Sequence, residues 1–173
     1  MSHDLSAYIR DIPDFPKKGI VFKDLTTLLK NPLTFRQAAD QLYAAVADKD
    51  IDKVVAIESR GFIFGALLAE KLNAGFVPVR KPGKLPAQTL QAEYLLEYGT
   101  DILEIHQDAI APGERVLLHD DLLATGGTAK AACKLIEQLG GQVVHISFLV
   151  ELGFLNGKEK LTDYVVSSII QYN

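Results

Sequence analysis

The sequence has little that would tie it to an oxidising compartment, a membrane or a nucleic acid. Its single cysteine, Cys133, excludes an internal disulfide bond and is compatible with a reducing cytosol. No apolar run approaches the length of a membrane span, and the first residues do not begin a signal peptide. The net charge of −4 argues against bulk nucleic-acid binding, because a polyanion requires an extended basic face. We therefore expect a cytoplasmic protein that binds neither membrane nor nucleic acid.

Length and hydrophobic content indicate one folded domain with an alternating α/β arrangement. The 173 residues can bury a sizeable core, and hydrophobic residues make up 48% of them. Strand-like runs alternate with helix-like stretches, which predicts right-handed crossovers and a mostly parallel central sheet flanked by helices. The predicted strands are 54–57, 76–79, 116–118 and 143–150, and the predicted helices are 35–47, 62–72 and one that follows Thr128.

The segment 116–128 is the most informative part of the chain. It is typical of a buried strand followed by an acidic pair and a Thr-Gly-Gly-Thr turn that opens a helix. The turn amides, the threonine hydroxyls and the helix dipole suit one phosphate group. Asp120 and Asp121 would repel a phosphate and suit hydroxyls or a metal ion. The two halves together fit a sugar phosphate; the alternative is an ordinary helix start with two solvated aspartates.

Two further polar clusters follow predicted strands. They are Glu58-Ser59-Arg60-Gly61 and Arg80-Lys81, with Lys84 close behind in sequence. Because active sites of such sheets lie at the carboxyl ends of the strands, these clusters and the acidic pair predict one shared cleft. Its local positive charge favours a small anionic ligand. Taken singly, Arg60 could instead be a surface partner of Glu58, and the lysines could form a solvated basic loop.

The segment Asp120–Thr128 resembles the phosphoribosyl pyrophosphate signature of the type I phosphoribosyltransferases, and the resemblance extends from Pro13 to the carboxyl end. It implies a single domain, 1–173, with a small N-terminal hood at about 1–34 and a flexible lid at about 82–112. The implied reaction transfers phosphoribose from phosphoribosyl pyrophosphate to adenine, giving AMP and pyrophosphate through an oxocarbenium-like transition state. The cofactor implied is Mg²⁺, held mainly by substrate and water, and the implied assembly is a homodimer.

The resemblance also assigns residue roles. Asp120 and Asp121 hold the ribose hydroxyls, and the 5-phosphate loop consists of Ala124, Thr125, Gly126, Gly127 and Thr128. The pyrophosphate residues are Glu58, Ser59, Arg60, Gly61, Arg80, Lys81 and Lys84. The remaining substrate-binding residues, on the base side and in the lid, are Val21, Phe22, Lys23, Tyr98, Leu122 and Leu152. Glu97, Arg60, Asp120 and Asp121 are the expected catalytic residues, with Glu97 as candidate proton acceptor. Family members often carry a cis peptide at the position of Glu58-Ser59.

Several alternatives stay open at this stage. Relatives that act on 6-oxopurines carry an aspartate where this chain has Ala124, which favours adenine; a xanthine, orotate or uracil enzyme of the same fold is the nearest rival. A regulator that binds phosphoribosyl pyrophosphate without turnover is the more distant one. Residues 94–98 and 102–105 could pair as a ribbon across the turn 99–101 within the lid, or form an ordinary surface hairpin. The run 20–26 could be a core strand at the sheet edge, and Glu97 a solvated charge.

Overall fold

The computed structural model describes residues 4–96 and 99–173. The strands are β1 (Arg10–Pro13), β2 (Val21–Asp24), β3 (Lys53–Ile57), β4 (Gly75–Val79), β5 (Thr89–Leu95), β6 (Thr100–His106), β7 (Arg115–Leu123), β8 (Gln142–Leu152) and β9 (Val166–Tyr172). The α-helices are α1 (Thr26–Leu29), α2 (Pro32–Ala44), α3 (Gly61–Lys71) and α4 (Gly127–Gln138). None of the described helices is both long and apolar enough to cross a membrane.

The chain divides into two compact units, Met1–Gln41 and Leu42–Asn173. In the first, β1 and β2 pair antiparallel as a separate two-stranded sheet. The alternative of a core strand at the edge of the main sheet is therefore wrong for this segment. Val21, at the start of β2, is 49% exposed. The predicted extent of the hood and of the single domain stays a prediction.

The second unit contains a five-stranded sheet in the order β4-β3-β7-β8-β9. Every neighbouring pair in it is parallel, which confirms the predicted sheet. The central strands β3 and β7 are almost wholly buried, as their continuous apolar runs require. The crossover helices α3 and α4 follow β3 and β7. Sequence analysis did not predict β9.

Strand β7 is longer than predicted. It continues beyond Leu118 to Leu123, because Leu122 and Leu123 still pair with Val150 and Glu151 of β8. The acidic pair thus lies inside the strand and not after it. The backbone of a paired strand is fixed by its neighbours. The acidic pair is therefore held more rigidly in β7 than it would be in a loop.

Strands β5 and β6 form the antiparallel ribbon predicted within the segment 82–112. The predicted turn 99–101 is displaced, since Thr100 and Asp101 already pair with Leu95 and Tyr94. One face of the ribbon belongs to the core, with Leu103 and other side chains buried against the central sheet. The ribbon is consequently more than a surface hairpin, while its function as a lid stays a prediction.

Helix α3 lies unusually close to the sheet because it has glycine at two contact points. A Cβ at Gly65 would lie 2.6 Å from the Cβ of Ala56 on β3, and a Cβ at Gly61 would lie 2.9 Å from Oδ1 of Asp120 on β7. Real Cβ atoms do not approach other heavy atoms this closely. The two glycines therefore set the distance at which the start of α3 lies over the end of β7.

Replacing Gly65 by alanine should lower the free energy of unfolding by about 1 to 2 kcal/mol, since overpacking against Ala56 outweighs the better helix propensity of alanine. Urea denaturation measures the loss. The control is the double variant Gly65→Ala/Ala56→Gly, which removes the clash and should be more stable than the sum of the two single losses. Strict additivity of the two substitutions would contradict the proposed contact.

Candidate functional site

The predicted polar clusters meet at one edge of the sheet. Glu58 and Arg80 directly follow β3 and β4, and Asp120 lies near the carboxyl end of β7. These three strands are parallel neighbours in the sheet. Gly61, at the start of α3, lies so near Asp120 that a Cβ there would be 2.9 Å from Oδ1 of that residue. The structure thus brings the three predicted clusters to one edge of the sheet, and their shared cleft stays a prediction.

The acidic pair is asymmetric. Nε of Arg60 lies 2.6 Å from Oδ2 of Asp121, whose side chain is 9% exposed. Burial, together with the negative charge of Asp121, raises the pKa of Asp120 well above its usual range. The backbone amide of Asp121 donates to Oδ1 of Asp120 at 2.8 Å. Asp121 is thus paired with a guanidinium, whereas burial makes Asp120 easier to protonate than an ordinary aspartate.

Glu58 lies at the centre of a cation cluster that consists of Arg80, Lys81 and Lys84. Its Oε2 lies 2.5 Å from Nζ of Lys84, its Oε1 lies 3.5 Å from Nε of Arg80, and it also accepts from the amide of Lys81. Burial acts to raise the pKa of Glu58, but the hydrogen bonds from Lys84 and Lys81 and the nearby charges together lower it. The surface pair considered between Arg60 and Glu58 is replaced by the pairs Arg60–Asp121 and Glu58–Lys84. The Glu58-Ser59 peptide is cis.

The third cation of the cluster, Lys81, contacts the ribbon. Its ammonium group pairs with Asp101 and lies 3.0 Å from the hydroxyl of Tyr94. Glu104, another ribbon residue, is 5% exposed and accepts from the amide of Gly83 at 3.2 Å. Sequence reasoning missed these three ribbon residues, because their proximity to the cations depends on the register of β5 against β6. The loop that carries the cations is therefore anchored on the ribbon.

The predicted phosphate loop has the expected strand–turn–helix form. Gly126 is the N-cap of α4 and has φ of 80°, a left-handed conformation that favours glycine. A cavity of about 70 Å³ lies at this turn. Its lining residues are Asp120, Leu122, Leu123, Ala124, Thr125, Gly126, Thr128, Ala129 and Phe148. The structure thus brings four of the five predicted 5-phosphate residues together with Asp120, one of the two predicted ribose carboxylates; Gly127 does not line this cavity. Phe148, from β8, was not predicted to contribute.

The remaining predicted residues are placed as follows. Phe22 of β2 packs edge-to-face on Phe15 with ring centroids 5.2 Å apart, and Nζ of Lys23 lies 2.7 Å from Oδ1 of Asp11. Leu152 is the last residue of β8. Glu97 and Tyr98 lie outside the described residues, so their predicted roles stay predictions. The substrate roles of all these side chains stay predictions.

Comparison with known proteins identifies the class. A sequence model of the phosphoribosyl transferase domain matches residues 24–173, which is most of the chain. The chain therefore belongs to the phosphoribosyltransferase family, and its fold is that of the type I members.

Individual relatives narrow the class. The adenine phosphoribosyltransferase of Alkaliphilus metalliredigens is 62% identical over 169 residues, which cover 98% of this chain and 99% of that one. The crystal structure of the enzyme from Thermoanaerobacter pseudethanolicus is 55% identical, with a TM-score of 0.96 over 99% of this chain and 100% of that one. That of Saccharomyces cerevisiae, complexed with an imino-altritol bisphosphate and adenine, is 42% identical, with a TM-score of 0.90 over 96% and 97%. Within the family, the chain is one of the adenine phosphoribosyltransferases, which are purine salvage enzymes.

A buried histidine precedes the acidic pair on β7. His119 is fully buried, and its Nδ1 lies 2.8 Å from Oγ of Ser147 on the neighbouring strand. Its Nε2 has no hydrogen-bond partner among residues 4–96 and 99–173. Burial lowers the pKa of His119 from its ordinary value of 6.5 to about 3. The imidazole is therefore neutral beside the two carboxyl groups at physiological pH.

This histidine should make the protein acid-sensitive. Below about pH 6.5 the unfolded chain binds a proton at His119 while the folded chain does not until about pH 3, so the free energy of unfolding falls as pH falls through this window. Urea denaturation at a series of pH values from 7 to 4 should give a slope that His119→Val reduces by up to about 1.4 kcal/mol per pH unit. Ser147→Ala, which removes only the hydroxyl, should keep the slope; equal slopes for wild type and His119→Val would contradict the assignment.

Proposed function

We propose that this enzyme transfers phosphoribose from phosphoribosyl pyrophosphate to adenine and releases AMP and pyrophosphate. The observation that carries the proposal is the arrangement of three chemically distinct parts along one sheet edge. They are the phosphate cavity at Gly126, the carboxyl pair Asp120-Asp121 and the cation cluster around Glu58. Adenine as acceptor is supported by the yeast relative, whose crystal structure is complexed with adenine.

The ribose would lie over the acidic pair. The ribose hydroxyls can donate hydrogen bonds to the carboxyl oxygens. They would supply Asp120 with polar partners in a site where burial disfavours the charged form of this residue. As the bond from C1 to the pyrophosphate breaks, positive charge develops on the sugar ring. The Asp121 carboxyl group, which is paired with Arg60, would help to stabilise that charge. No covalent intermediate with the protein is needed.

The leaving pyrophosphate would bind to the cation cluster. It gathers negative charge as the bond breaks, and Arg60, Arg80 and Lys84 are already fixed by carboxylates before it binds. Cations in preset positions need little rearrangement in the transition state, which is the source of their catalytic effect. Lys81 can join them after leaving Asp101.

Phosphoribosyltransferases generally use Mg²⁺ with phosphoribosyl pyrophosphate, and the donor set here fits a hydrated ion bound chiefly by the substrate. In the described part of the chain, no group of three or more His, Cys, Asp or Glu side chains could form a protein cage for a metal. Asp120 and Asp121 could contact the ion or its waters. The bound ion would supply charge neutralisation at the pyrophosphate oxygens.

Three further assignments belong to the proposal. Glu97 would accept the ring N–H proton of adenine, and the ribbon segment would close over the site and exclude water. Ala124 lacks the carboxylate that relatives use to bind the N7 of 6-oxopurines, which favours adenine. We also propose a cytoplasmic homodimer, as the family resemblance implies.

In the direct test, the purified protein is incubated with Mg²⁺, phosphoribosyl pyrophosphate and one base at a time. The bases are adenine, hypoxanthine, guanine, xanthine, uracil and orotate. We expect AMP from adenine and no product from the 6-oxopurines hypoxanthine, guanine and xanthine, because Ala124 provides no N7 acceptor. Uracil and orotate have no N7, and for them we expect no product because the chain's relatives are adenine phosphoribosyltransferases. Chromatography of the nucleotide products measures the outcome. Turnover of another base would overturn the adenine assignment, and binding of phosphoribosyl pyrophosphate without turnover of any base would favour a regulator.

Removal of one cluster cation tests the leaving-group site. Lys84→Ala should lower kcat by about 100-fold, because a preorganised cation facing the developing charge is lost. Steady-state kinetics with adenine measures it. Lys53→Ala is the matched control: its ammonium lies 3.4 Å from Glu114 at the opposite end of β3, and kcat should stay within about twofold of wild type. Equal losses in both variants would argue against the assigned role of Lys84.

A further inference from the structure

The segment 153–161, which follows β8, packs against the backbone of the predicted phosphate loop, residues 124–128. A Cβ at Gly126 would overlap the carbonyl oxygen of Gly157, and a Cβ at Gly157 would overlap the carbonyl oxygen of Ala124. A Cβ at Gly157 would also lie 2.9 Å from Cδ1 of Leu123. The two glycines thus allow a close backbone approach, and a side chain at either position would displace the loop or the segment.

An ion pair adjacent to this contact fixes the segment. Lys158 directly follows Gly157, and its Nζ lies 2.6 Å from Oε2 of Glu151 near the end of β8. The Glu151 side chain is 10% exposed, and its carboxylate also accepts a hydrogen bond from the Ser168 hydroxyl on β9. Farther along, Leu161 is 1% exposed and anchors the end of the segment in the core.

This pair differs from an ordinary surface salt bridge. Exposed pairs contribute little, because both side chains are mobile and water screens them. Here the carboxylate is buried and is oriented by Ser168, so Lys158 has a single fixed partner. Loss of the lysine would leave a buried carboxylate without its counter-charge and would release the backbone at Gly157.

We propose that Glu151 and Lys158 are positioning residues for the 5-phosphate end of the substrate. They hold the Gly157 carbonyl against Gly126, and this contact fixes the loop amides toward the phosphate. The identity of the ligand rests on the proposed function. The pair touches neither the acidic pair nor the cation cluster, so its influence should be confined to one end of the substrate.

The test measures the two ends of the substrate separately by isothermal titration calorimetry. Lys158→Ala should weaken binding of ribose 5-phosphate about five- to tenfold and leave the Kd for pyrophosphate with Mg²⁺ within about twofold. Lys158→Arg keeps the charge and should restore ribose 5-phosphate binding. Lys160→Ala is the matched control, because Lys160 is an exposed lysine two positions away that lines a groove beside Tyr164; its Kd values should equal those of wild type.

Glu151→Gln provides an independent variant that can still accept the Ser168 hydroxyl, and it should reproduce the selective loss. The proposal is overturned if both ligands weaken equally in Lys158→Ala, if neither weakens, or if Lys160→Ala has the same effect. It is also overturned if the wild-type protein does not bind ribose 5-phosphate. Neither titration requires a base, so turnover of a base other than adenine would reject the proposed function and leave this inference intact.

Discussion

Close backbone packing at the carboxyl end of β7 is the constraint on which the site depends. On one side, Gly61 of α3 approaches Asp120; on the other, Gly157 approaches Gly126 and Ala124. Each contact excludes a side chain, so the acidic strand end and the phosphate loop are confined between two rigid pieces of backbone. Their geometry is consequently determined by packing in the folded chain, before any ligand contributes.

Charge is arranged by the same logic of fixed pairs. Arg60 is held by Asp121, Lys84 by Glu58 and Lys81 by Asp101. A cluster of unpaired cations would repel itself and lower the stability of the fold. Carboxylates in the same region compensate that repulsion and set the position of each cation. The side chains that arrange the charges of the site are therefore the ones that prevent those charges from destabilising the fold.

Local chemistry was readable from the sequence, and long-range pairing was not. The turn at Gly126 and the strand–helix alternation follow from neighbouring residues, and the structure confirms them. The end of β7 was placed too early, since its true length depends on pairing with β8. The Lys81–Asp101 contact depends on ribbon register, and the contact of Gly157 with Gly126 joins segments far apart in the chain. A local sequence pattern does not predict contacts between segments that are far apart in the chain.

The position of Glu58 has a consequence for the end of a catalytic cycle. Its carboxylate already forms ion pairs with Lys84 and Arg80. An anion that binds those cations must take them from Glu58, and when it departs the carboxylate can reclaim them. In the proposed reaction, release of a highly charged product would then be an exchange between two anions and would not leave the cations without a counter-charge. A carboxylate placed among the cations that we propose bind pyrophosphate would thereby limit how tightly the product is retained.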